Sequence, residues 1–180
     1  MIEARAAQVQ RFGYLSGPLT RFGIIVAAIV FALDQLSKFY LVSIFQLGAR
    51  GPVHVAPFTD LVLTHNTGIS YGLLQNLGPL GQWLLFGFKI VAVVLLWVWL
   101  ARSTSRLSAL ALGLIIGGAF GNAIDRLTYR AVVDFVYFHV NTASWSFNWY
   151  VFNLADVAIV AGVIGLLYES LAGTHAAKAP

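Results

Sequence analysis

The chain has 180 residues, of which 59% are hydrophobic and only 10% charged, and its mean hydropathy is +0.80. Soluble domains carry about 45–50% apolar and about 25% charged residues, so this composition excludes an ordinary soluble domain and points to lipid as part of the solvent. There is no cysteine, which excludes disulfides and thiolate chemistry; the net charge of +4 is spread over short segments between apolar runs, which argues against nucleic acid as a partner.

Residues 1–20 hold Arg5, Arg11, Gly13, Gly17 and Pro18 and read as a loosely ordered cytoplasmic tail. The first apolar run, about 24–45, is long enough to span a bilayer, which takes about 20 residues. A cleavable signal peptide is the competing reading, but the run is long for a signal core and passes through Asp34-Gln35-Leu36-Ser37-Lys38, a poor cleavage context. Residues 46–78 contain Gly48, Gly51, Pro52 and alternating stretches such as Val53-His54-Val55, and read as a small extracytoplasmic β-element.

Further spans are expected at about 80–100, 107–124 and 152–171, with a second outer loop at 126–150 and a cytoplasmic tail at 173–180. Trp145, Phe147, Trp149 and Tyr150 in that loop suit a membrane interface. Gly113, Gly117 and Gly121, each four apart, make a groove for close helix approach. Arg5, Arg11, Arg21, Arg102, Arg106 and Lys178 fall on one side if the spans alternate, and that side is the cytoplasm. Arg50, Arg126 and Arg130 oppose the rule. The expected fold is therefore an all-α integral membrane protein: one four-span domain over 21–172, both termini inside, with an outer β-element and a periplasmic loop.

Of the seven acidic residues, Asp34, Asp125, Asp134 and Asp156 approach one layer near the outer ends of the spans. A charge at the bilayer centre costs ~2.5–3.5 kcal/mol on insertion scales, so such groups need partners or a task. Asp34 and Lys38 share a helix face and can pair. Asn122, Asp125 and Arg126 share another, where Arg126 can contact a carboxylate or grip backbone carbonyls, and a structural clamp of Arg126 with Asp125 is favoured. Asn153 and Asp156 lie three apart at the head of the last span. Asp134 interrupts the β-like apolar run Val132-Val133-Asp134-Phe135. Two carboxylates drawn together in a partly dehydrated site share a proton, which puts an acid and a base side by side, as peptide hydrolysis requires, with no metal or other cofactor. His54, His65, His139 and His175 form no helical zinc pair and read as surface or interfacial residues. Lys89, in mid-span, has no account.

Asp34-Gln35-x-x-Lys38, Asn66-Thr67-Gly68, Gly117-Gly118-Ala119-Phe120-Gly121-Asn122-x-x-Asp125-Arg126, Val132-Val133-Asp134-Phe135 and Phe152-Asn153-Leu154-Ala155-Asp156 resemble, in this order, the motifs of the lipoprotein signal peptidase (signal peptidase II) family. The resemblance covers roughly residues 24–170. It implies an aspartic endopeptidase of the bacterial inner membrane that cleaves prolipoproteins on the amino side of a diacylglyceryl-modified cysteine. It implies Asp134 and Asp156 as the catalytic pair, and Asn66, Asn122, Arg126 and Asn153 as substrate contacts. Asp34, Lys38, Asp125, Gly68, Gly118 and Gly121 match supporting positions. Globomycin is implied as an inhibitor and membrane lipid as a partner, and a monomer is expected. The chain departs from the family's commoner pattern at Trp149-Tyr150-Val151, which often holds a proline, and at Ile69-Ser70-Tyr71, where Ala-Ala-Phe is commoner; its first 20 residues are also longer than many. These bear on loop shape. A proton-coupled transporter using the same carboxylates is the alternative from another class, but the acids form no ladder across the bilayer and the halves show no repeat. A purely structural membrane subunit leaves Asp134 unexplained.

Overall fold

In the computed structural model the described residues are 15–67 and 78–176, with side chains described except at 78–86, 88–90 and 173–176. Gly68 and the side chains of Lys89 and His175 lie outside them.

Helix α1 covers Thr20–Phe39 and runs on as a π-helical turn, Tyr40–Ile44. Gln46 reverses the chain in a left-handed conformation, and the short helix α2, Leu47–Arg50, follows. Strands β1 (Val53–Ala56) and β2 (Thr59–Asn66) form a hairpin. Helix α3 is Gly78–Arg102 and α4 is Arg106–Tyr129, the latter capped by Ser105, whose hydroxyl accepts from the Leu107 and Ser108 amides. Then come β3 (Val132–Asn141), β4 (Ser146–Asn148) and α5 (Leu154–Ala176).

Among the described residues, Thr20–Ile44, Arg106–Tyr129 and Leu154–Ala172 are long and apolar enough to cross a membrane, and Val91–Arg102 is a shorter apolar stretch. These helices turn apolar side chains outward: Ile25, Ile29, Leu33 and Leu36 on α1, and Val160, Ile164 and Leu167 on α5, are all exposed. Exposed apolar surface on this scale marks contact with a nonaqueous partner. Between the helices, small and polar residues are buried beside a few large apolar ones, among them Leu100, Leu112 and Ile116.

Helix α4 is the centre of the bundle, with α1 and α5 packed on either side. Its glycines make both contacts possible. A Cβ on Gly117 would lie 2.5 Å from the Ala27 carbonyl oxygen of α1, and one on Gly118 would lie 2.5 Å from the Ala155 carbonyl oxygen of α5. The four-apart glycine series is thus the seam with α1, and Gly118, one residue round the helix, opens a second seam.

The segments between the helices add a small sheet, larger than the single β-element expected. Residues 46–78 and 126–150 do not form two separate features: their strands join into one four-stranded antiparallel sheet, in the order β1-β2-β3-β4. Asp134 lies opposite Thr64 and Val132 opposite Asn66. Most of the expected loop at 126–150 is ordered backbone, since α4 continues to Tyr129 before Arg130 ends it in a left-handed conformation. Phe135 packs on Leu41 and Leu47, which ties the sheet to the π-helical turn at the C-terminal end of α1.

Candidate active site

Five segments converge at the junction of sheet and helices: the C-terminal ends of α1 and α4, the end of β2, the start of β3 and the head of α5. Each contributes a polar side chain from an otherwise apolar stretch.

The deepest layer is an ion cluster. Lys38 Nζ lies 2.7 Å from Asp34 Oδ2, as the one-turn spacing implies, and also 2.7 Å from Asp125 Oδ2 on α4. All three side chains are nearly inaccessible, with 4, 0 and 1% exposure. The expected pairing of Arg126 with Asp125 is replaced: Asp125 pairs with Lys38, while Arg126 takes its other expected contact, a backbone carbonyl, with Nη1 3.2 Å from the Asn122 oxygen. Successive helical residues point about a quarter turn apart, so a partner on another helix wins over the neighbour in sequence. The carboxylates also hold backbone. Asp125 Oδ2 accepts from the Val133 amide at 3.1 Å, and Asp34 Oδ1 accepts from the Ala155 amide at 3.0 Å. This cluster therefore sets the positions of β3 and α5 against α1 and α4. Gly121 is needed for the approach, because a Cβ there would collide with Asp34 Oδ2.

Gln35 was not singled out by spacing, yet its Nε2 sits 3.2 Å from Asp34 Oδ2, 3.0 Å from Asp125 Oδ1 and 3.2 Å from the Gly121 carbonyl oxygen. The only sequence signal was its place inside the Asp34–Lys38 motif.

Above the cluster lie Asp134 and Asp156, brought together by Asn153. Asn153 Nδ2 donates to Asp134 Oδ1 at 2.7 Å, and its Oδ1 accepts from the Asp156 amide at 3.0 Å. Asp156 Oδ2 accepts from the Asn153 amide at 3.3 Å. The last two bonds form a reciprocal cap at the start of α5. Asp156 Oδ1 accepts from Asn122 Nδ2 at 2.8 Å, and Asp134 Oδ2 from Asn66 Nδ2 at 3.2 Å. Asn66 reaches Asp134 diagonally across the β2–β3 ladder, a separation that long polar side chains can bridge. Asp134 is 2% exposed, whereas Asp156 keeps partial access. Burial pushes the Asp134 carboxyl above the usual carboxylate range; the Asp156 charge adds to this, and the amides of Asn66 and Asn153 oppose it. Arg126 is close enough to interact electrostatically with Asp156, Asp134 and Asp125. Such a site offers one carboxyl biased to hold a proton beside another open to water, the elements of general acid–base chemistry. Among the described residues no group of histidine, aspartate or glutamate could hold a metal ion.

The histidines belong elsewhere. Asp60 on β2 accepts from His54 of β1 at 2.7 Å and lies 3.0 Å from His139 of β3, a clip across three strands that local spacing did not foretell. The hydrogen bond from His54, opposed by burial and helped by the His139 charge, holds the Asp60 carboxyl below the ordinary range. Gly118 lies in the α4–α5 seam, away from the carboxylates.

A family model described as Signal peptidase (SPase) II matches residues 26–172. The lipoprotein signal peptidase of Rhodopseudomonas palustris (strain TIE-1) is 59% identical over 160 residues, 89% of this chain and 98% of that protein. The lipoprotein signal peptidase of Nitrobacter hamburgensis is also 59% identical, with the same coverage. Among solved structures, a bacterial membrane enzyme determined by the in meso method at 2.3 Å superposes with a TM-score of 0.70 at 26% identity, covering 88% of this chain and 93% of that one.

Proposed function

Because the chain belongs to the signal peptidase II family, we propose that it removes signal peptides from diacylglyceryl-modified prolipoproteins by aspartic chemistry, cutting on the amino side of the lipidated cysteine. Asp134 and Asp156 are the catalytic pair. The observation that carries this reading is that a single side chain, Asn153, is bonded to the Asp134 carboxylate and to the Asp156 backbone amide.

Two neighbouring carboxyls share one proton near neutral pH. The ionised member takes a proton from water, and the resulting hydroxide equivalent adds to the scissile carbonyl carbon. The protonated member donates to the carbonyl oxygen. Collapse of the resulting gem-diol breaks the C–N bond: the nitrogen leaves with the proton taken from water, and a diol hydroxyl returns its proton to the other carboxylate as the carbonyl re-forms, which restores the singly protonated pair. Asn66 and Arg126, at the rim of the pair, contact the substrate backbone. Asn122 and Asn153, expected to do likewise, have their amides turned to the carboxylates.

The helices form four spans in the bacterial inner membrane, with 1–20 and 173–180 cytoplasmic and the carboxylates near the outer leaflet, within reach of a substrate embedded in that leaflet. The enzyme acts as a monomer in contact with membrane lipid, uses neither cofactor nor nucleic acid, and is inhibited by globomycin. The test is incubation of the purified chain with a lipidated prolipoprotein, with and without globomycin, beside Asp134→Asn and Asp156→Asn. Cleavage by the wild type alone, blocked by globomycin, is expected. Mature product from either variant would overturn the reading.

A further inference from the structure

Asn122 is buried, and both ends of its amide are engaged. Lys38 Nζ lies 3.3 Å from its Oδ1, Asn153 Nδ2 lies 3.0 Å from the same oxygen, and its Nδ2 lies 2.8 Å from Asp156 Oδ1. An amide can turn over, exchanging its oxygen and nitrogen with little change in shape. Here it cannot do so without cost. An ammonium has three donors and no acceptor, so the end facing Lys38 must be the oxygen, and the end facing Asp156 must then be the donor.

We infer that Lys38 is a positioning residue for the reaction: by holding the Asn122 oxygen, it commits the Asn122 amide to donate to Asp156 and so fixes that carboxylate's orientation. This rests on the reading of Asp134 and Asp156 as the catalytic pair. It gives Lys38 a task beyond neutralising Asp34 and Asp125, and gives Asn122 a task other than substrate contact. A buried lysine with two carboxylates at 2.7 Å has its charge satisfied; the contact with Asn122 is its hydrogen-bonded link to the reacting layer.

The deciding variant is Asn122→Asp. A carboxylate at 122 still accepts from Lys38 and Asn153, so the structural tie survives, but it presents an acceptor to Asp156 where a donor stood. The charged and titratable groups around the new carboxyl are Lys38 from α1, Asp156 from α5, and Asp125 and Arg126 from α4, with Asp134 one hydrogen bond further through Asn153. With a lipidated prolipoprotein, kcat is expected to fall about tenfold or more, as for loss of one hydrogen bond to a charged group, while KM stays within about twofold. The ratio of variant to wild-type kcat should rise as pH is lowered, because a protonated carboxyl at 122 can donate to Asp156 again. Lys38→Met, where it folds, should show the kcat-limited loss without the recovery in acid; where it does not fold, Asn122→Asp decides alone. A loss expressed mainly in KM, an unchanged kcat, or a kcat loss equal at every pH would overturn the inference. Asp134→Asn and Asp156→Asn run in the same assay keep the two claims apart. If those two are inactive while Asn122→Asp behaves in one of these ways, only the role of Lys38 fails; if they still cleave, the catalytic pair fails.

Discussion

Asn153 and Asp156 cap each other: the Asn153 side-chain oxygen accepts from the Asp156 amide, and an Asp156 carboxylate oxygen accepts from the Asn153 amide. A common device for starting a helix thus places the carboxylate proposed as catalytic in the first turn of α5. The second limb of Asn153, its Nδ2 on Asp134, is not needed for the cap.

That division of labour can be tested. Asn153→Ser keeps an N-cap oxygen and removes the donor to Asp134, whereas Asn153→Ala removes both. Asn153→Ser is expected to leave thermal stability in detergent close to wild type but to lower kcat about tenfold or more. Asn153→Ala should lose about 1 kcal/mol of stability in addition.

Asp34, Lys38 and Asp125 tie four elements from buried positions. Removing one partner leaves an uncompensated buried charge, which costs about 3–5 kcal/mol. Lys38→Met should therefore lower the thermal midpoint sharply, while the double variant Asp34→Asn with Lys38→Met should be milder than the two single losses added together. Thermal unfolding of the four proteins in one detergent gives the comparison.

Gly121→Ala introduces one methyl group where Asp34 Oδ2 lies. Asp34 must then move, taking with it the bonds to Lys38 and to the Ala155 amide. The expected result is a loss of about 1–3 kcal/mol together with reduced cleavage. Gly87→Ala, at a glycine with open space around it, serves as the control and should change neither measurement.

A carboxyl whose value is higher in the fold than in the unfolded chain favours the protonated form of the folded protein. Its contribution to stability is present at acid pH, below its unfolded value of about 3.9, and is lost as pH rises through the raised folded value. Asp134 is such a group. Thermal midpoints measured against pH should fall more steeply on the rising side for wild type than for Asp134→Asn. Cleavage should decline in the same direction as the shared proton leaves the pair. Parallel stability curves would contradict this.

Periodicity and local spacing were enough to mark the apolar helices and the Asp34–Lys38 pair, since both depend on residues within a turn or two of each other. The partner of Asp125 was not legible, because Lys38 comes from another helix while Arg126 stands next door and carries the same charge. The sheet was half legible. Val53–Ala56 and Thr59–Asn66 alternate recognisably, but their union with Val132–Asn141 is a long-range pairing that neither stretch encodes alone. Residues 126–129 read as loop because polar side chains end the apolar run there, yet the helix continues to Tyr129. Asp134 stood out as an acid in an apolar strand, though what it meets depends on Asn66 and Asn153, from two other parts of the chain.

The bond from the Ala155 amide to Asp34 joins residues 121 positions apart. During synthesis the first helix emerges long before its partner, carrying Asp34 already neutralised by Lys38 one turn away. Asn153 and Asp156, which meet Asp134, are added only when the head of the last helix is translated. The proposed catalytic pair therefore cannot assemble in any nascent chain that has not yet reached the head of α5.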